Sequence, residues 1–334
     1  MAIRIRLLLG GLAPMVVLGL GVPADQTRDA AVVLPTATDA NAAWRPAVSL
    51  PVVRAHRYRM SGAIRPLLFW IGRERVGEGQ IVWRERGDGT RAFELLIGSD
   101  PEFAPRQLNR WGYLAEELRG TEAHVIGLIS SDADDTLEGV TADGVDQLPE
   151  SAFKTIRARV GARASHAEVS TVGAATSLTY HDLDAVLELM RRQPTTSIEV
   201  RVAPRPSDAR PGFLAAMSEL LHTSVEGLTR SGRVPPALAR QTIPYMYGDG
   251  LHDLTVRSLD VEAERTIGGR VYRQVIHGKF QTRSRATGDS KQFELIYGTR
   301  GGLAEVPIWI RYRPRWWLRA DLSLEPAGEG QGSG

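Results

Sequence analysis

The chain has 334 residues, 43% of them hydrophobic, with 41 lysines and arginines against 39 aspartates and glutamates, and no cysteine. The missing thiols exclude disulfides, thiolate metal sites, a cysteine nucleophile and lipid attachment at a cysteine. A charge so near balance excludes a general nucleic-acid binder, which needs a concentrated positive excess, while the length suffices to bury a core without covalent staples.

Arg4 and Arg6 precede an apolar stretch from Leu7 to Leu20, after which Val22 and Ala24 occupy the −3 and −1 positions of a cleavage site. This three-part order predicts a secretory signal peptide over residues 1–24. The apolar run falls short of the ~20 residues that cross a bilayer, which weighs against a permanent anchor. Export across the inner membrane to the periplasm or cell envelope is therefore expected. Loss of Arg4 and Arg6 leaves 41 − 2 = 39 cations against 39 anions. Residues 25–50, rich in Ala, Asp, Thr and Pro, read as a flexible lead-in, and the Gly-rich residues 326–334 as a flexible tail. Between them one domain is expected over 51–325, with sheet hairpins at 51–100 and 251–325 and a helix-containing middle at 101–250.

Residues 56–64 and 67–71 predict two strands. The segment from Gly79, GQIVWRERGDGTRAFELLIG, then predicts a hairpin, because an alternating run, a Gly-Asp-Gly turn and a second apolar run follow in order. Leu108, Trp111, Leu114, Ala115 and Leu118 recur at helical spacing and predict a first helix ending near Gly120. Short strands are expected at 124–130, 155–160 and 197–203. Leu183, Val186, Leu187 and Met190 predict a second helix, stopped by Pro194. Leu214, Met217, Leu221, Val225 and Leu228 predict the longest, from about Pro211 to Gly232.

The segment from Gly278, GKFQTRSRATGDSKQFELIYG, repeats the design of the first hairpin, with FELIYG answering FELLIG. Duplication and convergence of two sheet hairpins both account for so short a match. Residues 306–312 predict another strand. In the last one Leu318, Ala320, Leu322 and Leu324 share one face, and Arg319, Asp321, Ser323 and Glu325 the other. The expected fold class is α+β: a curved, half-barrel-like antiparallel sheet from both ends of the chain, with about three helices inserted in the middle.

The hairpin over 275–297 and the run LAEVPIWIRYRPRWWLRADLSLE at 303–325 resemble the C-terminal part of a bacterial periplasmic family of unknown function related to lipoprotein-carrier half-barrels. The resemblance is strongest over residues 268–325. It implies a curved sheet with a hydrophobic concave face in the cell envelope, and it supplies no catalytic residues.

Local motifs name no catalyst. Ser151 and Lys154 fit S-x-x-K, but neither a following Ser-x-Asn nor a Lys-Thr-Gly accompanies them, and the residues after Lys154 alternate like a strand. The acidic run from Asp132 to Glu138 lacks the glycine and distant glutamate of a calcium loop and reads as a solvated loop. His56, His124, His166, His181, His222, His252 and His277 show no zinc spacing. His181-Asp182 is expected at a helix N-terminus, and His252-Asp253 in a turn. The cluster Arg311, Arg313, Arg315, Trp316, Trp317 and Arg319 fits a sheet edge with arginine stems over tryptophan faces. It also fits a rim that meets anionic headgroups.

These features predict a non-catalytic envelope protein that binds a lipid-like, apolar or amphipathic ligand, or an envelope protein partner, on a curved sheet, with peripheral membrane contact at its aromatic rim. Trp70, Trp83, Trp309, Arg311, Arg313, Trp316 and Trp317 are the candidate ligand-binding residues. No catalytic residue, metal ligand, cofactor or nucleic-acid partner is expected. The alternative is a periplasmic hydrolase whose His–Asp site is assembled by the fold.

Overall fold

Both echoed segments fold as antiparallel hairpins. The computed structural model describes residues 50–64, 71–104, 109–120, 122–132, 151–161, 165–174, 178–192, 196–202, 205–247, 250–315 and 318–326. The first hairpin joins β2 (Ile71–Glu85) to β3 (Arg91–Ser99), with Trp83 opposite Phe93. Gly89 supplies a φ of 82° in its turn, and the Asp88 side chain accepts from the Thr90 N–H at 2.8 Å. The second joins β11 (Arg270–Ser284) to β12 (Ser290–Gly298), with Phe280 opposite Phe293.

The remaining strands are β1 (Val52–Ile64), β4 (Trp111–Arg119), β5 (Glu122–Asp132), β6 (Ser151–Val160), β7 (Ser165–Ala174) and β8 (Thr196–Val202), then β9 (Thr242–Tyr247), β10 (Gly250–Ile267), β13 (Pro307–Arg315) and β14 (Leu318–Leu324). All belong to one 14-stranded sheet in the order β8-β7-β6-β5-β4-β3-β2-β1-β14-β13-β12-β11-β10-β9. The two ends of the chain meet where β1 pairs antiparallel with β14, Tyr58 opposite Leu324 and Met60 opposite Leu322. Although β5 and β9 lie far apart in that order, a Cβ added to Gly127 in β5 would stand 3.5 Å from the Tyr247 hydroxyl of β9. The sheet therefore curls into a nearly closed barrel, as strand twist accumulated over many neighbours favours.

Among the described residues two α-helices pack on it, one on each face. Helix α1 (Leu183–Arg192) packs Val186, Leu187 and Met190 on the outer face, against Trp111, Tyr113, Ile126, Leu128 and Phe153. Helix α2 (Phe213–Ser231) lies inside the curl and buries Phe213, Met217, Leu220, Leu221, Val225 and Leu228 against the inner face. It ends at Gly232, whose φ of 72° lets its N–H reach the Leu228 carbonyl at 2.8 Å. Just before α2, Arg210 pairs with the free side of β9: its N–H donates to the Pro244 carbonyl and its own carbonyl accepts from Met246. That contact covers part of a sheet edge that would otherwise offer an open ladder.

Several expectations change. Among the described residues the protein is mostly sheet with two α-helices, rather than α+β with about three. The segment expected to be the first helix is strand β4. Its outward residues Trp111, Tyr113 and Ala115 lie under α1, while Leu114 and Glu116 face inward, so all are buried. A strand covered on both faces loses polar alternation, and its unbroken apolar run then imitates a helical stripe. His252 and Asp253 are not in a turn but in β10, opposite Ser284 and Arg283 of β11. Arg313 and Pro314, expected from the proline to form a turn or edge between the last two strands, belong to β13, where the register shifts between Tyr312 and Arg315. The other expected helices and strands appear, except that residues 67–70 lie outside the described residues. Thr179 caps the 3-10 turn over Tyr180–Asp182 that leads into α1, with Asp182 returning a bond to the Thr179 N–H, so His181-Asp182 sits at a helix start as expected.

Candidate functional site

Helix α2 begins without a cap of its own. Gly212 at its N-cap makes no side-chain hydrogen bond, so the orphan N–H groups of the first turn need an outside acceptor. Glu116 of β4 supplies it: the carboxylate accepts from the Leu214 N–H at 2.8 Å and the Ala215 N–H at 2.9 Å. Glu116 is fully buried. Burial pushes its carboxyl up to about 7, against the opposing pull of those backbone donors. The fit leaves no room at Gly212, where a Cβ would stand 2.1 Å from a Glu116 oxygen. Farther along α2, the Ser224 hydroxyl lies 2.9 Å from the Tyr297 hydroxyl of β12. The same interior holds His252, stacked on Tyr245 at 5.5 Å and edge-on to Tyr247. Burial lowers its imidazole to about 4. The Glu116 and Ser224 hydrogen bonds tie α2 to the sheet.

Between α2 and the sheet remains a cleft with ≈ 680 Å³ of empty space, part of it open to solvent. Ile81 and Trp83 of β2, Phe93 and Leu95 of β3, and Phe293 and Leu295 of β12 form the sheet wall. Phe213, Leu214, Met217 and Leu221 close it from α2. The echoed hexamers thus have a shared structural outcome: each places its Phe and its second-next Leu on this cleft. Strand alternation turns the Glu94 side chain to the opposite face, where it pairs with Arg84 at 2.5 Å.

The polar groups gather at the margin. Ser218 and Glu305 line the cleft, and the Glu305 carboxylate lies 2.8 Å from Nδ1 of His222 on α2. Glu305 holds a φ of 65°, a left-handed conformation uncommon outside glycine. Arg54 of β1 lies over the Trp83 ring at 4.6 Å and donates from Nη1 to the Ala304 carbonyl at 3.0 Å. His56, two residues on, stands edge-on to Trp83 at 5.7 Å. Its Nε2 is buried with no hydrogen-bond partner among the described residues. Burial, with Arg54 alongside, lowers the pKa of this imidazole.

Of the predicted ligand-binding residues, Trp83 lies on the cleft. Trp309, Arg311 and Arg313 lie on the outer face of β13, away from it. There Arg311 sits 4.4 Å over Trp309 and pairs with Asp321 at 2.7 Å, and Arg313 approaches Glu294 at 3.7 Å. The strand lies between β12 and β14, not at a sheet edge as expected for this cluster. Trp70, Trp316 and Trp317 lie outside the described residues, as does the acidic run beyond Asp132.

Not expected from the sequence are Met217, Ser218 and Glu305 on the cleft, Arg54 and His56 beside its Trp83, and Glu116 at the α2 N-terminus. Ile81 and Trp83 share a strand face by alternation, which was legible; their facing α2 was not.

Histidine and carboxylate pairs occur, but not as expected. His252 and Asp253 occupy successive places in a strand and so face opposite sides; Asp253 pairs with Arg285 at 2.7 Å. On the outer face His277 lies between Glu262 at 3.3 Å and Glu294 at 3.2 Å. Among the described residues no group of three or more His, Asp or Glu is arranged to hold a metal ion.

No protein-family model matches the chain, and no curated protein matches it. Among solved structures it is similar to a β-barrel-like protein of the domain of unknown function DUF1849 from Brucella abortus, with 7% sequence identity and a TM-score of 0.33. The match covers 81% of this chain and 95% of that one. So distant a likeness assigns no activity, and the expected relation to lipoprotein-carrier half-barrels gains no support from it. The barrel-like antiparallel sheet stands on this chain's own strand register.

Proposed function

We propose that this chain is an exported cell-envelope protein that binds one apolar or amphipathic, lipid-like ligand between α2 and the inner face of the sheet, without transforming it. The observation that carries the reading is the cleft itself, walled by apolar side chains from four strands and a helix. Each Å² of apolar ligand surface removed from water there contributes ~25 cal/mol, so a single acyl chain gains enough to bind without a polar anchor. The signal-like residues 1–24 support the envelope location.

The test is native mass spectrometry of protein purified from a periplasmic fraction, followed by organic extraction. The expected mass is that of a chain beginning at Asp25 plus one apolar molecule. Met217→Trp, which directs added bulk into the cleft, is expected to remove the extra mass while the protein stays folded. A wild-type protein that carries no ligand, and takes up none when lipid extract is supplied, contradicts the reading.

A hydrolytic reading has one observation in its favour. Ser218 sits one helical turn before His222, which bonds Glu305 at the cleft margin. Ser218 makes no hydrogen bond to His222, so the serine lacks the base contact that nucleophilic activation requires. Covalent labelling by a fluorophosphonate that Ser218→Ala abolishes would favour hydrolysis over binding.

A further inference from the structure

We propose, resting on the cleft reading above, that the ligand is a single-chain amphiphile with an anionic headgroup, its chain between α2 and the sheet and its head on Arg54. Three observations converge on Arg54.

The first is position. The guanidinium lies over Trp83, itself part of the cleft wall, so a head bound to Arg54 stands directly beside an apolar path for the chain. The second is availability. Arg84 of the neighbouring β2 holds a carboxylate at 2.5 Å, and farther round the sheet Arg311 of β13 and Arg285 just after β11 each hold one at 2.7 Å. Arg54 instead has one carbonyl and a ring face, and among the described residues no carboxylate comes within ion-pair distance of it. Nη1 is engaged by the Ala304 carbonyl, which fixes the fork while leaving Nε and Nη2 to a ligand. A guanidinium so held is suited to bidentate binding of a carboxylate or phosphate.

The third is His56. Its buried Nε2 without a partner lies beside the same tryptophan. Buried polar atoms are satisfied in more than about nine cases in ten, and a headgroup oxygen reaching past Arg54 would satisfy this one. The carboxylate that lines the cleft, Glu305, hydrogen-bonds Nδ1 of His222 on α2 and not Arg54.

The test compares three twelve-carbon amphiphiles below their micellar concentrations by isothermal titration: dodecanoate, lauroyl lysophosphatidate and the uncharged dodecyl maltoside. Both anions are expected to bind at least about tenfold more tightly than the maltoside, the margin a charge-assisted hydrogen bond supplies. Whichever anion binds more tightly identifies a carboxylate or a phosphate as the headgroup. Arg54→Gln is expected to bring both anions to the maltoside's affinity and leave the maltoside unchanged. Arg59→Gln, on the outer face of β1, is expected to change none.

Equal binding of all three, or an Arg54→Gln loss shared by the maltoside, overturns the headgroup assignment and leaves the cleft reading intact. Failure of all three to bind overturns both. Should Arg54→Gln not fold, Arg54→Lys and a salt titration decide: anion affinity must fall with added salt while maltoside affinity does not. Salt-independent anion binding overturns the assignment.

Discussion

Replacing Gly212 by alanine is expected to destabilise the protein by about 3 kcal/mol or more, although the site is a helix N-cap where glycine is seldom required. With φ at −161° the backbone is extended and accepts any residue. The cost comes from the new methyl, whose carbon would stand 2.1 Å from a Glu116 oxygen. The carboxylate must then leave the α2 N-terminus, stranding a buried acid and the Leu214 and Ala215 N–H groups, at ~1–3 kcal/mol for each unsatisfied group. Glu116→Ala alone is expected to cost a similar amount through the lost cap. The double variant is expected to cost clearly less than the two single losses added, since the methyl of one change occupies space vacated by the other. Urea denaturation of the four proteins checks this; additive losses would mean that Glu116 and Gly212 do not share the contact described.

The second large effect concerns pH. Glu116 has a carboxyl near 7 in the fold against an ordinary 4.5. Between those values the folded chain keeps a proton that the unfolded chain has released, so its contribution to stability is full below 4.5 and is lost as pH rises to 7. His252 acts oppositely. Its imidazole is near 4 in the fold against an ordinary 6.5, so its contribution is present above 6.5 and is lost as pH falls to 4. Each amounts to on the order of 3 kcal/mol, at 1.36 kcal/mol per unit. Between about 4.5 and 6.5 the two nearly cancel. Removing one should therefore expose the other. Relative to wild type, Glu116→Gln is expected to gain stability steadily as pH rises from 4.5 to 7. His252→Phe, which keeps an aromatic ring against Tyr245, is expected to gain as pH falls from 6.5 to 4. Chemical denaturation across this range reads both, and parallel pH profiles for the three proteins would contradict the assignment.

What could be read from the sequence follows from where one side of an element meets water. Strand β14 has Ala320 and Leu322 inward and Asp321 outward, and its alternation was plain. The apolar face of α2 repeats at helical spacing because its other face is exposed at Glu219, His222 and Glu226. Strand β4 offers no such contrast, because α1 covers one face and α2 the other. Glu116-Glu117 looks like an ordinary solvated pair, yet both are buried, and only the fold brings α2 down on the first. One signal was available: Gly212 precedes a strong helical pattern with none of the usual capping side chains, which implies an acceptor supplied from elsewhere. The cleft was less legible still. Its sheet wall was announced twice, by FELLIG and FELIYG, but the helix that closes it is contributed from more than a hundred residues after the first hexamer and before the second ends.

The claim most in need of a direct test is that the ligand lies inside the curl, beside α2, rather than on the outer face with Trp309, Arg311 and Arg313. Crystals grown with a terminally brominated dodecanoate locate the chain by anomalous scattering from bromine. A bromine peak is expected between Met217 and the Phe93–Phe293 wall. A peak on the outer face of β13, or ordered ligand nowhere in the cleft at saturating concentration, would contradict it.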